Sequence, residues 1–114
     1  MAETVFSKII SKEIPAQIVY ENEDVVAFRD INPQAPVHIL VVPRKPLSGI
    51  AAAADEDAPM LGKLLLAARD IAASEGLNEG GYRLVINNGE RAGQSVFHLH
   101  LHILGGRDFN WPPG

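Results

Sequence analysis

The sequence lacks several features that mark particular classes of protein. Its 114 residues include no cysteine, which excludes disulfides and thiolate metal sites and agrees with a reducing compartment. No apolar run approaches the roughly 20 residues that a membrane helix needs, and residues 1–4 carry no sign of a secretory signal. The net charge is −4 with both signs interspersed, so no basic stripe predicts binding to nucleic acid or anionic membranes. We therefore expect a cytoplasmic protein with no nucleic-acid or membrane partner.

The chain has enough apolar residues for one hydrophobic core. With 46% hydrophobic residues it fits a single domain spanning residues 1–114. Alternating or β-branched runs predict strands, and apolar residues at helical spacing predict helices. The predicted strands are 18–21, 25–29, 37–42, 82–86 and 97–106, and the predicted helices are 4–11 and 57–75.

The most informative stretch is the last predicted strand, which reads FHLHLHILGG over residues 97–106. Three histidines alternate with aliphatic residues there. The histidine row is His98, His100 and His102, and the aliphatic row is Leu99, Leu101 and Ile103. Successive side chains of a strand point to opposite faces, so each row has a face of its own. Neighbouring histidines would lie roughly 6.6 Å apart, a spacing that suits contacts with successive parts of one ligand.

Aligned imidazoles suit two kinds of chemistry. Neutral imidazoles can bind zinc, with a further ligand from His38, although no carboxylate partner is evident near the row. Alternatively, one imidazole attacks phosphorus while another holds a proton for the phosphate or the leaving group, since an unperturbed pKa of about 6.5 leaves the ring largely unprotonated near neutral pH. His38 itself, inside an apolar run, is either a satisfied core residue or part of a four-histidine network.

Other positions also have two interpretations each. Phe6 and Ile9 on the first predicted helix either close the core or wall an apolar pocket. Asp30 either forms an Asx turn or presents its carboxylate to a pair of ligand hydroxyls. The loop 87–95 is either a solvated turn or an anion cradle, in which glycine backbone and a serine hydroxyl act as donors.

The motif HLHLHIL resembles the triad of the histidine triad (HIT) family, and His38 sits where that family keeps an upstream histidine. The tail WPPG at 111–114 is similar to that of the Hint branch. Stretches 6–10, 28–31, 33–36 and 93–95 follow the same branch. The transferase branch of the family carries glutamine at the third triad position, so the histidine at position 102 favours hydrolysis.

The resemblance implies an α+β, HIT-like fold: an antiparallel sheet of about five strands with one long and one short helix, continued across a homodimer. It also implies hydrolysis of purine nucleoside 5′-phosphoramidates, and of aminoacyl-adenylate-like substrates, to AMP. This phosphoramidase reaction would proceed through a covalent nucleotidyl-histidine intermediate, without a cofactor or metal. The alternative is a nucleotide-binding or scaffolding protein in which catalysis is incidental.

The resemblance assigns a role to each site residue. His100 would attack the α-phosphorus, His102 would contact the phosphate and assist the departing amine, and His98, linked to His38, would orient the nucleophile together with it. Asp30 would bind the ribose hydroxyls, with Ile31 beside it. The purine slot would be lined by Phe6, Ile9 and Phe28, and ribose and phosphate would be held by Asn87, Gly93, Gln94 and Ser95.

Overall fold

The chain folds around one antiparallel sheet, and the computed structural model describes it from residue 3 to residue 114. The strands are β1 (Ile18–Glu21), β2 (Val25–Arg29), β3 (Val37–Pro43), β4 (Tyr82–Val85) and β5 (Leu101–Gly105), and the helices are α1 (Val5–Ile10) and α2 (Ala58–Ser74). Their order across the sheet is β1-β2-β3-β5-β4. The expected α+β fold, with five antiparallel strands, one long helix and one short helix, is confirmed. Residues 1–4 carried no sign of a secretory signal in the sequence, and the first two of these residues lie outside the described part of the chain.

The two helices cover opposite faces of the sheet, because successive strand residues point to opposite sides. On β2, Val25 packs in the cluster of buried residues that includes α2, whereas its neighbour Val26 packs in the cluster that includes α1. The face under α1 is also the face of the histidine row, since the Phe6 ring of α1 lies 4.9 Å from the His100 ring. The sheet therefore separates the main core from the site.

A capping box fixes the start of α1. The Thr4 hydroxyl accepts the Ser7 backbone N–H at 3.2 Å, and the Ser7 hydroxyl accepts the Thr4 N–H at 2.8 Å. Reciprocal bonds of this kind satisfy two backbone donors that a helix start leaves open. The helix then buries Phe6 and Ile9 against the sheet, so both interpretations of these residues hold, as core and as pocket wall.

The predicted helix 57–75 agrees with α2 to within one residue at each end. Gly76 follows its C-cap with φ +76°, the left-handed conformation with which helices commonly end. The Asp57 carboxylate does not cap α2. It accepts the Ala54 N–H at 2.9 Å and pairs with Lys45, so it caps the short 3₁₀ turn before the helix. Among residues 3–114, no helix is both long and apolar enough to cross a bilayer.

The predicted strand 97–106 is wrong at its N-terminal end, while the other four agree to within one residue. β5 begins only at Leu101, so His98 and His100 precede it in irregular backbone. The neighbouring strand β3 ends at Pro43, which has no N–H to donate to a ladder, and the pairing with β5 stops two residues before it.

Side chains still alternate between the two faces over residues 98–100, although this segment is not paired as a strand. The Leu99 N–H donates to the Leu47 carbonyl at 2.7 Å, which holds the segment in place of strand pairing. Leu99, Leu101 and Ile103 are all buried in the core under α2. The histidine row consequently keeps the opposite face, as the sequence pattern predicts.

Candidate active site

The ring of His100 is oriented by the backbone two residues before it. Its Nδ1 lies 2.7 Å from the His98 carbonyl oxygen, and because a carbonyl only accepts, Nδ1 carries the proton. The His98 ring in turn donates from Nε2 to the Pro43 carbonyl at 2.8 Å. A neutral His100 therefore keeps its lone pair on Nε2, as a nucleophile requires.

His102 holds the opposite tautomer because of a chain of bonds that starts at the backbone. The Gln34 N–H donates to His38 Nδ1 at 3.0 Å, so the proton of His38 lies on Nε2. That atom lies 2.9 Å from His102 Nδ1, which must accept. A neutral His102 therefore carries its own proton on Nε2 and presents a donor, whereas His100 presents a lone pair.

Asp30 forms the Asx turn that was one of its two interpretations, and its carboxylate has a second contact. Its Oδ1 accepts the Asn32 N–H at 2.8 Å, which forms an Asx turn just after β2. Its Oδ2 lies 3.4 Å from His38 Nε2, so the same carboxylate also faces the histidine cluster. The turn fixes the carboxylate, and the carboxylate supplies a negative charge beside the rings.

Burial keeps these imidazoles neutral. Desolvation lowers the pKa of His38 and of His100 from the usual value. Desolvation, reinforced by the neighbouring His100 and His38, lowers the pKa of His102 to about 4. The negative charge of Asp30 raises the pKa in all three cases but does not outweigh burial. At neutral pH the rings are therefore uncharged, and the tautomers are set by the bonds described above.

An apolar cavity of about 380 Å³ lies between α1 and the sheet, beside the histidine row. The Phe6 ring packs edge-on against Phe28 at 5.3 Å and against His100 at 4.9 Å, so the cavity wall touches the candidate nucleophile. Its polar rim includes Asp30 and Ser95. Ile31 is 99% exposed at the rim, free to lie against a ligand.

The loop 87–95 contains a short 3₁₀ turn, Glu90–Ala92, and most of its residues are exposed. Gly93 follows the turn with φ +96°, a left-handed conformation that favours glycine. The half-buried Asn87 lies beside it, with its Nδ2 3.8 Å from where a Cβ on residue 93 would lie. Ser95 is exposed at the rim of the cavity. The N–H groups of Gly93 and Gln94 donate to the carbonyls of Glu90 and Gly89 at 3.0 and 3.1 Å, so the expected backbone donors are used inside the turn. The Ser95 hydroxyl is left available to a ligand.

Gln94 was expected to contact the ribose or the phosphate, but its side chain is buried inside the protein. It is only 3% exposed, and both ends of its side chain are used inside the protein. Its Oε1 accepts the Gly89 N–H at 2.8 Å, and its Nε2 donates to the Ser48 carbonyl at 2.7 Å and the Val96 carbonyl at 3.0 Å. The side chain therefore fastens the loop to the protein instead of facing the cavity.

One further expected contact is absent, and one contact that the structure shows was not predicted. The ring of His98 donates to Pro43, so the expected link between His98 and His38 is replaced by the bond between His38 and His102. Sequence reasoning also missed Gln34, whose backbone N–H fixes the tautomer of His38. A backbone donor leaves no signal in residue type, and only the turn-forming prolines around position 34 pointed to an unusual loop there.

One group of side chains brings potential metal ligands together. A carboxylate oxygen of Asp30 and ring nitrogens of His38 and His102 lie within 4.8 Å of one another. A metal-bound histidine normally donates its other N–H to an acceptor. If His38 bound zinc through Nε2, its protonated Nδ1 would face the N–H of Gln34, a second donor. This arrangement does not fit a zinc site.

The chain is similar to known proteins over nearly its whole length. A family model for the HIT domain matches residues 11–109. A HIT-like protein of Synechocystis is 62% identical over 115 aligned positions that cover all of both chains. A Zea mays protein named 14 kDa zinc-binding protein is 57% identical over 113 positions, 97% of this chain and 88% of its own. The crystal structure of a HIT family hydrolase from Legionella pneumophila has a TM-score of 0.96 and 48% identity, covering 98% of this chain and all of that one.

Proposed function

Because the chain belongs to the HIT family, we propose that it is a Hint-branch phosphoramidase that hydrolyses purine nucleoside 5′-phosphoramidates to AMP. The observation that carries the proposal is the pair of opposite tautomers in adjacent rings. His100 offers a lone pair on Nε2 and His102 offers an N–H on Nε2, with ring centroids 5.0 Å apart. One ring is suited to attack phosphorus while the other donates to the groups around it.

The reaction has two displacements at phosphorus. His100 Nε2 forms a bond to the α-phosphorus as the bond from phosphorus to the amine nitrogen breaks. The departing nitrogen accepts a hydrogen bond from the Nε2–H of neutral His102 and takes its proton from solvent water. This protonation matters because an amide anion is a very poor leaving group. The Nδ1–H of His100 stays bonded to the His98 carbonyl, which stabilises the positive ring that the attack creates. Water then attacks the phosphorus and breaks the P–N bond to His100, which releases AMP, restores the neutral ring and returns one proton to solvent.

The surroundings of the two rings fit a nucleotide. The cavity under α1 is lined largely by apolar side chains, among them Phe6, Ile9 and Phe28, and would take the purine. Asp30, at the rim, would accept the ribose hydroxyls. The Ser95 hydroxyl and the Nε2–H of His102 would hold the phosphate, so a chain of net charge −4 would bind an anion through neutral donors.

Steady-state AMP release from adenosine 5′-phosphoramidate tests the function. We expect turnover by the wild-type chain and a loss of about 10³-fold or more in His100→Ala, since no other group at the site replaces the nucleophile. Arg69→Ala, an exposed change on α2, is the control and should keep the wild-type rate. Wild-type protein that binds AMP without releasing it from the phosphoramidate would instead favour the nucleotide-binding or scaffolding alternative.

We further propose that the chain forms a homodimer through the β4 edge of the sheet. The edge strands are β1 and β4. β1 carries a register irregularity between Ile18 and Tyr20, a feature that discourages edge pairing, whereas β4 pairs with β5 without interruption. β4 also leaves Leu84 38% exposed. A second copy paired along β4 would cover this side chain and continue the sheet.

A further inference from the structure

A single N–H lies between two acceptors at the centre of the site. Because the Gln34 N–H fills Nδ1 of His38, that ring has one proton to donate, on Nε2. This atom lies 2.9 Å from His102 Nδ1 and 3.4 Å from Asp30 Oδ2. The N–H is hydrogen-bonded to the neutral ring nitrogen, and the charged carboxylate lies close enough to pull on the same proton.

The arrangement matters because Asp30 and His102 both lie next to the position that a ligand would occupy. Asp30 lies on the rim of the apolar cavity, where the ribose of a bound nucleotide would be. His102 has its ring centroid 5.0 Å from that of His100, where the phosphate would be. His38 is buried between them at 6% exposure, so its ring touches both ends of the site without facing the ligand itself.

We propose that His38 is a positioning residue that couples occupation of Asp30 by the ribose hydroxyls to the orientation of His102, an inference that rests on the proposed function. Hydroxyls that donate to Asp30 weaken the pull of its carboxylate on the His38 N–H. The hydrogen bond from that N–H to His102 Nδ1 is then strengthened, which holds the His102 ring with its Nε2–H toward the phosphate. No bond breaks and no proton changes its owner, because only the strength of one hydrogen bond changes.

Through this coupling the two ribose hydroxyls affect the rate of the chemical step as well as the affinity for the nucleotide. A nucleotide with both hydroxyls sets the donor at the phosphate, whereas a 2′,3′-dideoxynucleotide leaves the His38 N–H under the pull of the Asp30 charge. The difference should therefore appear in kcat as well as in KM. One hydrogen bond of ordinary net strength corresponds to about a two- to tenfold change in kcat.

The first test compares adenosine 5′-phosphoramidate with its 2′,3′-dideoxy analogue on the wild-type chain and on His38→Asn. In the wild type we expect the dideoxy analogue to have a lower kcat by about two- to tenfold, together with a higher KM. In His38→Asn the ratio of the two kcat values should approach one, while the ratio of the KM values remains. An unchanged kcat ratio in the variant, or discrimination in the wild type that lies wholly in KM, would overturn the coupling.

A second test needs neither the variant nor turnover. Nitrogen-15 NMR of the histidine rings is recorded for the wild-type chain with AMP and with 2′,3′-dideoxy-AMP. We expect the His38 Nε2 and His102 Nδ1 resonances to move with AMP and to stay near their free positions with the dideoxy ligand. Equal responses to both ligands would contradict the coupling even if the phosphoramidate is hydrolysed. The selective response without any hydrolysis would uphold the coupling and reject the phosphoramidase.

Discussion

At the scale of single residues, the site depends on histidines that are kept neutral. Burial is the main cause of the lowered pKa of His38, His100 and His102, and the Asp30 charge acts in the opposite direction on each of them. Because the tautomers are fixed by backbone and ring partners, neutral rings give one lone pair and one donor at the reacting face. A protonated His100 would lose the lone pair that the proposed attack on phosphorus requires.

The pH dependence of kcat/KM follows from these directions. We expect a plateau through neutral pH and an acid limb that lies below pH 6.5, because protonation of His100 requires a pH below its lowered pKa. In Asp30→Asn the charge that raises the histidine pKa values is lost, so the limb should move to still lower pH. The position of the limb is the measurement, since the variant also changes ribose binding. A limb at or above pH 6.5, or one that moves upward in Asp30→Asn, would contradict this account.

At the scale of elements, the loop 87–95 is held by hydrogen bonds to the segment 48–51. Gln94 bonds to the Ser48 carbonyl, and the Asn88 side chain accepts the Ala51 N–H at 2.9 Å. Gly49 lies between these contacts. A Cβ on it would come within 2.8 Å of Asn88 Oδ1 and 3.3 Å of Gln94 Oε1, so a side chain there would displace the Asn88 amide that accepts the Ala51 N–H.

Gly49→Ala should loosen this fastening. Its backbone is extended, so alanine meets no conformational penalty and the effect comes from the contacts alone. We expect a loss of about 1–3 kcal/mol in the free energy of unfolding, and a raised KM for the phosphoramidate, because the loop would hold the phosphate. Urea unfolding and steady-state kinetics measure the two effects.

Gly80→Ala is the matched control, because a Cβ there meets nothing within 4 Å and its φ lies outside the left-handed region. It should leave both stability and KM near the wild-type values. Equal behaviour of the two variants would show that the loop does not depend on this close approach.

Periodicity predicted the elements well and the contacts less well. The strands up to β4 and both helices follow from apolar spacing, which is a local property of the chain. The start of β5 does not, because it depends on where a distant strand reaches Pro43. The use of Gln94 was likewise not predictable, since an amide side chain can bind a ligand or the backbone equally well. The alternation of the histidine row did identify the face of the site, because that face is decided by the neighbouring leucines.

At the scale of the whole molecule, the sheet has an unequal pair of edges. The β1 edge carries charged pairs, with Glu21 bonded to Lys12 and Arg44, in addition to its irregular register. The β4 edge carries Leu84, which is 38% exposed. An exposed leucine on an uninterrupted edge strand favours pairing with a second copy of the chain.

Sedimentation velocity tests this pairing. We expect the wild-type chain to sediment as a dimer and Leu84→Lys to sediment as a monomer, since a charge would be buried in the paired edge. Gln17→Lys places the same charge beside the other edge strand at an exposed position and should remain dimeric. A wild-type monomer would refute the dimer, and a dimeric Leu84→Lys would place its interface elsewhere.

The assignment of His100 as nucleophile is the central claim, and a single-turnover trapping measurement tests it most directly. Excess wild-type enzyme is mixed with adenosine 5′-phosphoramidate, quenched at successive times, digested and analysed by mass spectrometry. We predict an adenylyl group on His100 that appears before free AMP and decays as AMP forms, and no such adduct in His100→Ala. Free AMP formed with no adduct at any time, or an adduct on His98 or His102 in its place, would contradict the account.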